Sequence, residues 1–354
     1  MKVVGSILLL FSIAALPASG QTQFEKAVQL YEAGNPIQSK ALFLEAIKED
    51  PRNAEAYYYL GTLSIDSDYE SAIDYLQKAI DLAGTNAKYH LMLGNAYGAK
   101  AQRAGIFSKF SAASNCKEQY LVAVSLDPKY TEARLRVIEY YLQAPGVMGG
   151  SDAKAMAEVD TVKMYDQYAG YLVEARVHEY RKEKARQEQC YRKAISIDPK
   201  KLDAYRALWF LAMNDGDATK ADGVFKKAAA AVDDKSGLYY SAGLYYVGKD
   251  DLATARTMFE TALQKDPQNA LVFYQLGKVD LLTGANLDRG ISCFEEFLAA
   301  PHVKGAPGPE YAFWRLGMIY EKLGKVDSAR AAYRKSLGLN PGLEEAKKAL
   351  EKLK

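Results

Sequence analysis

A repeated spacing of small residues and prolines constrains this chain more than any other feature of its sequence. In one copy the steps between small residues are 12 and 7, with 5 more to a proline: Gly243, Ala255, Ala262 and Pro267. The same three steps recur near the C terminus at Gly317, Ala329, Ser336 and Pro341. Self-similarity at a fixed period is typical of arrays in which each unit contacts only its neighbours. The chain is therefore predicted to fold as an array and not around one central core.

The spacing resembles the tetratricopeptide repeat (TPR), a helix–turn–helix unit of about 34 residues. Four units end with an Asp-Pro pair at the same position of the repeat: 50–51, 127–128, 198–199 and 266–267. The proline ends the unit because it cannot continue a helix. The resemblance implies an all-α, right-handed solenoid of stacked antiparallel helix pairs. About nine units are expected over residues 21–342, with 343–354 as a polar-faced capping helix. The alternative, a generic all-α bundle, does not explain the constant step from the last small residue to proline.

Residues 1–20 have the composition of a secretory signal peptide: one lysine, an apolar run from Val3 to Leu16, then small residues. Cleavage is expected near Gly20–Gln21, which would make the protein periplasmic or secreted. The alternative is a retained anchor, although the apolar run is shorter than the roughly 20 residues that span a bilayer.

Composition limits the chemistry that the chain can perform. A net charge of +2 gives no basic face for nucleic acid. The three cysteines and the three histidines follow no metal-ligand spacing; Cys116, Cys190 and Cys293 are interpreted as packing residues, as are the rings of His90 and His178. The glycine-rich stretch 144–151 lacks the lysine–serine ending of a phosphate loop. No catalytic residue, metal or other cofactor is expected, so the chain is not predicted to be an enzyme.

Two neighbouring units break the spacing inside the hairpin. The step after Gly94 is 22 residues and the step after Ile138 is 17, where 12 is the rule. The extra residues fall within 98–111 and 144–151, and insertions between paired helices lie on one edge of a solenoid. We expect the two loops to touch and form a lobe that binds a partner through its apolar side chains: Ile106, Phe107, Phe110, Val147 and Met148. The alternative is that these side chains only pack on each other.

The resemblance also implies a concave groove lined by the first helix of each unit. The groove positions predicted to contact a partner are Tyr58, Arg176, Arg206, Phe210, Tyr240, Tyr274 and Trp314. Tyrosine, tryptophan and arginine are enriched at binding hot spots, although the same rings could simply pack between units. The family's carboxylate clamp is not predicted, since Asn95 alone matches its pattern.

The leading functional interpretation is a non-catalytic scaffold of the bacterial envelope that binds partner proteins or peptides through the groove and the lobe. The alternative is a peripheral membrane or polysaccharide-export assembly factor; an enzyme accessory subunit is less favoured. The sequence leaves membrane contact, the partner's identity and the oligomeric state open.

Overall fold

The computed structural model describes residues 22–103, 105–301, 303 and 305–353. Within these residues all regular secondary structure is helical, and turns connect the helices. The helices are α1 (Gln23–Glu32), α2 (Pro36–Glu49), α3 (Ala54–Ser64), α4 (Tyr69–Leu82), α5 (Ala87–Arg103), α6 (Ile106–Leu126), α7 (Thr131–Gln143), α8 (Asp152–Tyr165), α9 (Gln167–Tyr180), α10 (Lys184–Ile197), α11 (Leu202–Asn214), α12 (Ala218–Ala231), α13 (Lys235–Gly248), α14 (Leu252–Lys265), α15 (Ala270–Thr283), α16 (Leu287–Ala299), α17 (Pro309–Lys322), α18 (Val326–Leu339) and α19 (Glu344–Lys352), with a 3-10 turn at Gly146–Met148. The predicted signal segment lies outside the described residues.

Consecutive helices pair as hairpins, from α1 with α2 to α17 with α18, and each hairpin also contacts the next. We call these pairs units one to nine, and the first and second helices of a unit its A and B helices. The last helix, α19, packs on unit nine through Ala346 and Leu350, together with Leu343 just before it. The predicted all-α solenoid of about nine units and a final capping helix is confirmed.

Glycines on the A helices set the distance between the two helices of a hairpin. An added methyl group at Gly61 would lie 2.4 Å from the side chain of Leu76 on the B helix. A clash recurs at the equivalent place of four other units, where the opposing side chain is aromatic: Gly94 with Tyr120, Gly243 with Phe259, Gly277 with Phe294, and Gly317 with Tyr333. The small-residue spacing in the sequence therefore reports a direct contact between a glycine and a large side chain.

Unit six reverses this arrangement. Trp209 occupies the place where glycine is usual and is buried. Phe225, which lies opposite, is only partly buried, and the two ring centroids are 5.9 Å apart. The indole ring thus takes the interior space that the B-helix aromatic residue fills in other units, and the phenyl ring moves outwards.

The two residues of each Asp-Pro pair contribute differently to the end of a B helix. Proline stops the helix, and the aspartate carboxylate accepts a hydrogen bond from the backbone amide two residues further on. The four acceptor oxygens lie 2.9–3.2 Å from those amides, in Asp50, Asp127, Asp198 and Asp266. The aspartate before each proline thus fixes the turn into the next unit.

Aspartates also cap the starts of several helices, and the cap at α14 gives a pH-dependent prediction. Hydrogen bonds from the Thr254 side chain and backbone to the carboxylate of Asp251 lower its pKa below the ordinary 3.8. A lowered folded-state pKa stabilises the fold above the unfolded pKa, and this contribution disappears as pH falls through the folded pKa. Asp251→Ala is therefore expected to lower Tm at pH 7, with a difference from wild type that shrinks towards pH 3.

Thermal melts of both proteins between pH 3 and pH 8 test this expectation. Asp74→Ala, an exposed position inside α4, serves as the control and is expected to leave Tm unchanged or slightly raised, because alanine favours helix. A pH-independent difference for Asp251→Ala would contradict the capping role.

The insertion in unit three is not the loop that the sequence predicts. Residues 98–103 continue α5 and residues 106–111 begin α6, so the extra residues lengthen both helices. The extended end of α5 leans back on unit two: Lys100 Nζ lies 2.9 Å from Glu70 Oε2, and Arg103 donates to the carbonyl of Asp66 at 2.8 Å. The reason is local propensity, since alanine, lysine, glutamine and arginine at 99–103 favour helix.

The two ends of the array approach each other. Gln38 Nε2, on α2, donates to the carbonyl of Gly338, on α18, at 3.4 Å. Gly305, in the spacer between α16 and α17, lies beside the A helices of units one to three. The solenoid thus curves far enough to bring its last unit beside its first.

Candidate binding surfaces

A cavity of about 710 Å³ lies on the A helices of units one to three. Its wall carries tyrosines from three successive A helices, with charged residues around them. The lining residues are Tyr31, Glu32, Glu55, Tyr58, Tyr59, Asn86, Lys88, Tyr89 and Gly305. We call this the tyrosine cavity.

The rings of the tyrosine cavity support one another. Tyr58 and Tyr89 stack with centroids 5.1 Å apart, and Tyr31 lies 5.0 Å from Tyr59. Tyr59 in turn stacks on buried Phe43 at 4.8 Å. Aromatic pairs at these distances add stabilisation beyond their buried area, so the rings hold one another in place.

The electrostatics of the cavity favour a neutral or cationic ligand. Burial, as the main cause, raises the pKa of Tyr58 and Tyr89 and raises that of Tyr59 to about 12. The hydroxyls are therefore protonated at neutral pH, and those of Tyr58 and Tyr89 hydrogen-bond with Thr62 and Asn86. Around them, the exposed residues Glu32 and Glu55 place two carboxylates against the single ammonium of Lys88.

Three predicted groove residues lie in part on the surface. Tyr58 lines the tyrosine cavity. Arg176 lines a smaller cavity of about 190 Å³ between α7 and α9 and lies 3.5 Å from Glu179. Arg206 is exposed on α11 and donates to Asp203 at 2.9 Å. The structure does not join the three into one site: Tyr58 and Arg176 line separate cavities, and Arg206 lines neither of them.

The remaining four groove residues pack within the array. Tyr274 is only 4% exposed and lies against Phe294 and Phe297, so the prediction that it presents a ring to a partner is wrong. Phe210, Tyr240 and Trp314 are half-buried, and each packs on a neighbouring hydrophobic cluster. The physical reason is the solenoid itself, because A helices bury part of their inner face against the next unit.

The predicted lobe exists only in part. Val147 is 93% exposed and Phe110 is 52% exposed, while Met148 is half-buried. The side chains of Ile106 and Phe107 lie outside the described part of the structure. Among the described residues no hydrogen bond, ion pair or ring contact joins 98–111 to 144–151; instead, Lys117 of α6 approaches the turn, 3.5 Å from the carbonyl of Met148. The prediction that the two insertions touch is therefore not supported by these contacts.

The buried histidines and cysteines divide into two kinds. Both ring nitrogens of His90 are hydrogen-bonded, to Gln119 at 2.7 Å and to the carbonyl of Gly84 at 3.0 Å. Cys116 and Cys293 are free and buried, and burial raises the pKa of each thiol to about 11. Their interpretation as packing residues is confirmed. His178 and Cys190 are also buried, but the hairpin brings them together with Glu174, a juxtaposition that spacing along the chain did not reveal.

Tyr31, Tyr59 and Tyr89 also line the cavity, although the sequence pattern did not predict them. The available signal was the number of tyrosines, 26 in the chain, which the repeat positions only partly explain. The helical positions taken from the family's groove identified Tyr58 but not its neighbours, because the cavity also uses residues at the edges of the A helices.

Comparison with known proteins agrees with this architecture. Profiles described as tetratricopeptide repeat match residues 24–87, 168–201 and 311–342. These three segments match the tetratricopeptide repeat (TPR) family. Yeast Tom70 shares the fold: the solved structure matches at a TM-score of 0.50 and 10% identity, covering 92% of this chain and 86% of that one. TPR proteins act as protein-interaction scaffolds and bind protein or peptide partners.

Two curated relatives are distant. The human protein O-mannosyl-transferase TMTC3 is 22% identical over 235 residues, which are 66% of this chain and 22% of the relative. Tetratricopeptide repeat protein 37 of Xenopus laevis is 22% identical over 289 residues, 80% of this chain and 15% of the relative. This chain therefore spans less than a quarter of the length of either relative. None of its described helices combines the length and apolar character needed to cross a bilayer.

Proposed function

We propose that the protein is a non-catalytic scaffold that binds a segment of a partner protein in the tyrosine cavity. One observation carries this proposal: three successive A helices contribute packed tyrosines to the wall of a cavity of about 710 Å³. Tyrosine combines a large rigid apolar face with a hydroxyl donor, and it is enriched among the residues that dominate binding energy.

The chemistry of the cavity suggests the kind of segment that it binds. The rings offer contact area to apolar or aromatic side chains of the partner. Glu32 and Glu55 on the rim favour a lysine or arginine beside those side chains and disfavour a carboxylate. A peptide with an apolar anchor and a flanking basic residue fits both features.

Affinity capture with quantitative mass spectrometry tests the scaffold function. We expect Tyr31→Ala/Tyr58→Ala to reduce partner recovery at least about tenfold, since truncating a hot spot costs about 2 kcal/mol or more. Tyr180→Ala is the matched control: it removes a surface tyrosine from an A helix beside the smaller cavity. Glu55→Lys is a second variant, because it reverses an exposed charge without removing a packed ring.

Circular dichroism establishes first that the variants are folded. Equal recovery with wild type, Tyr31→Ala/Tyr58→Ala and Glu55→Lys would contradict binding at the tyrosine cavity. Loss of recovery with Tyr180→Ala alone would move the site to the cavity between α7 and α9.

We also propose that the scaffold works in the bacterial envelope, on the basis of the signal-like residues 1–20. Cell fractionation tests this location, and protein found only in the cytosol would contradict it. The alternative of a peripheral membrane or polysaccharide-export assembly factor draws on the exposed apolar side chains of Phe110 and Val147. Co-sedimentation with anionic liposomes at low salt distinguishes it, since the scaffold alone predicts no binding.

A further inference from the structure

We infer that the α9–α10 hairpin of unit five holds a site for a divalent transition-metal ion, best matched by Zn²⁺, with Glu174, His178 and Cys190 as ligands. This site is separate from the tyrosine cavity and independent of the proposed scaffold function.

The helical hairpin brings the three ligands to one point. Glu174 and His178 lie four residues apart on α9 and therefore share one face of that helix. Cys190 faces them from α10, and one potential ligand atom of each residue lies within 4.8 Å of the others. Bonds of about 2.0–2.3 Å place the ligand atoms of a tetrahedral zinc ion roughly 3–4 Å apart. Side-chain movements of about 1 Å would therefore close the site.

The residue behind His178 orients the ring as it is oriented in metal sites. Glu183 Oε2 lies 2.7 Å from Nδ1 of His178. A carboxylate on one ring nitrogen favours the tautomer with the proton on that nitrogen, which leaves the Nε2 lone pair free to bind a metal. Ligating histidines almost always have such a partner. Glu183 would thus be a positioning residue for the site.

Glu174 contributes a carboxylate oxygen whose present partner is the ammonium of Lys163. Its Oε2 is buried and takes no well-aligned hydrogen bond from the described residues, although Lys163 Nζ lies 2.9 Å away. The same ammonium lies 4.8 Å from the centre of the Tyr171 ring. A divalent cation at this carboxylate would require the Lys163 ammonium to move away from Oε2, and its contact with the Tyr171 ring can be kept during that movement.

The donor set indicates the metal. One thiolate, one imidazole and one carboxylate form a mixed set of sulfur, nitrogen and oxygen that suits zinc better than calcium or magnesium, which take oxygen ligands. When the ion binds, the Cys190 thiol releases its proton to solvent. Three protein ligands leave a fourth position for water or for a group from outside the chain.

Two residues of the same types provide matched controls. Cys293 is likewise a buried cysteine on a B helix, in unit eight. His90 is a buried histidine whose two ring nitrogens are already hydrogen-bonded. Neither belongs to a cluster of three ligand types in the described part of the chain.

Titration of the untagged full chain with Co²⁺, followed by displacement with Zn²⁺, tests the site. We expect one Co²⁺ per chain, with the near-ultraviolet charge-transfer band of a cobalt–thiolate bond. Cys190→Ser removes this band, whereas Cys293→Ser and His90→Gln keep it. Glu183→Gln keeps the stoichiometry and the band but weakens affinity about 10–100-fold, as loss of a partner behind a ligand does.

Absence of the band in wild type at saturating Co²⁺, or its persistence in Cys190→Ser, would overturn the proposal. If Cys190→Ser does not fold, Glu174→Gln decides the matter, because it conserves shape at a partly exposed position. We expect at least about tenfold weaker binding of Zn²⁺ for that variant, and unchanged affinity would also overturn the site.

Discussion

Asp280→Ala is expected to destabilise units seven and eight by about 3 kcal/mol. Asp280 is fully buried on α15 and accepts hydrogen bonds from Arg289 at 2.7 Å and from Arg256 at 2.9 Å. Removing one partner of a buried ion pair typically costs about 3–5 kcal/mol, because it leaves an uncompensated charge. The lower end applies here, since the two arginine side chains keep 26% and 31% of their exposure.

The position of Asp280 explains why this loss would not stay within one hairpin. Arg256 belongs to α14, Asp280 to α15 and Arg289 to α16, and Arg289 also pairs with Glu260 of α14 at 2.5 Å. The network thus joins two successive units. In a repeat array stability is the sum of units and interfaces, so this substitution weakens an interface.

Urea denaturation together with hydrogen exchange of α13–α16 measures the effect. Asp222→Ala is the control: this aspartate forms an exposed pair with Lys226, and such pairs contribute about 0–1 kcal/mol. Protection of α13–α16 that is equal in Asp280→Ala and wild type would show that the network does not hold the interface.

The fold was predictable from sequence because its determinants are local. The step from glycine to the next small residue, and from there to proline, records contacts within one hairpin. Gly243 meets Phe259 and Gly317 meets Tyr333, and each pair is separated by 16 residues along the chain. Such a contact leaves a similar mark in several units, so a single sequence contains several copies of the evidence.

The surfaces were less predictable because they depend on contacts between units and on local exceptions. Tyr274 has the residue type of a binding position, but packing on Phe294 and Phe297 buries it. The insertion at 98–111 breaks the spacing, but spacing does not reveal whether extra residues form a loop or lengthen helices. The approach of Gly305 to the tyrosine cavity depends on the curvature of the whole array.

The metal-ligand cluster illustrates a different limit. Sequence motifs for metal sites depend on short spacings along the chain, whereas Cys190 lies 16 residues after Glu174. Helix α10 must fold back on α9 before the three ligand types meet. Searching for ligand types at the positions that face each other in a hairpin would have found this cluster.

Phe259→Ala is expected to be among the most destabilising single changes in the chain, at about 3–5 kcal/mol. Phe259 is fully buried on α14 and lies between α13 and the A helix of unit eight, in a cluster with Val272 and Leu276. Truncation removes the transfer free energy of the ring and leaves a cavity that the flanking helices fill only in part. Urea denaturation followed by circular dichroism measures the loss.

Gly243→Ala provides the complementary test of the same contact, because the sign of its effect on the free energy of unfolding is informative. In an open helical position glycine to alanine stabilises by about 0.5–1 kcal/mol, and Gly223→Ala is such a control, with free space around it. At Gly243 the added methyl group would lie 2.4 Å from the Phe259 ring, so we expect destabilisation by about 1–3 kcal/mol. With Phe259→Ala in place the clash is gone, so adding Gly243→Ala is expected to cost little or to stabilise. Additive effects in the double variant would mean that glycine at this place does not set the distance between the helices.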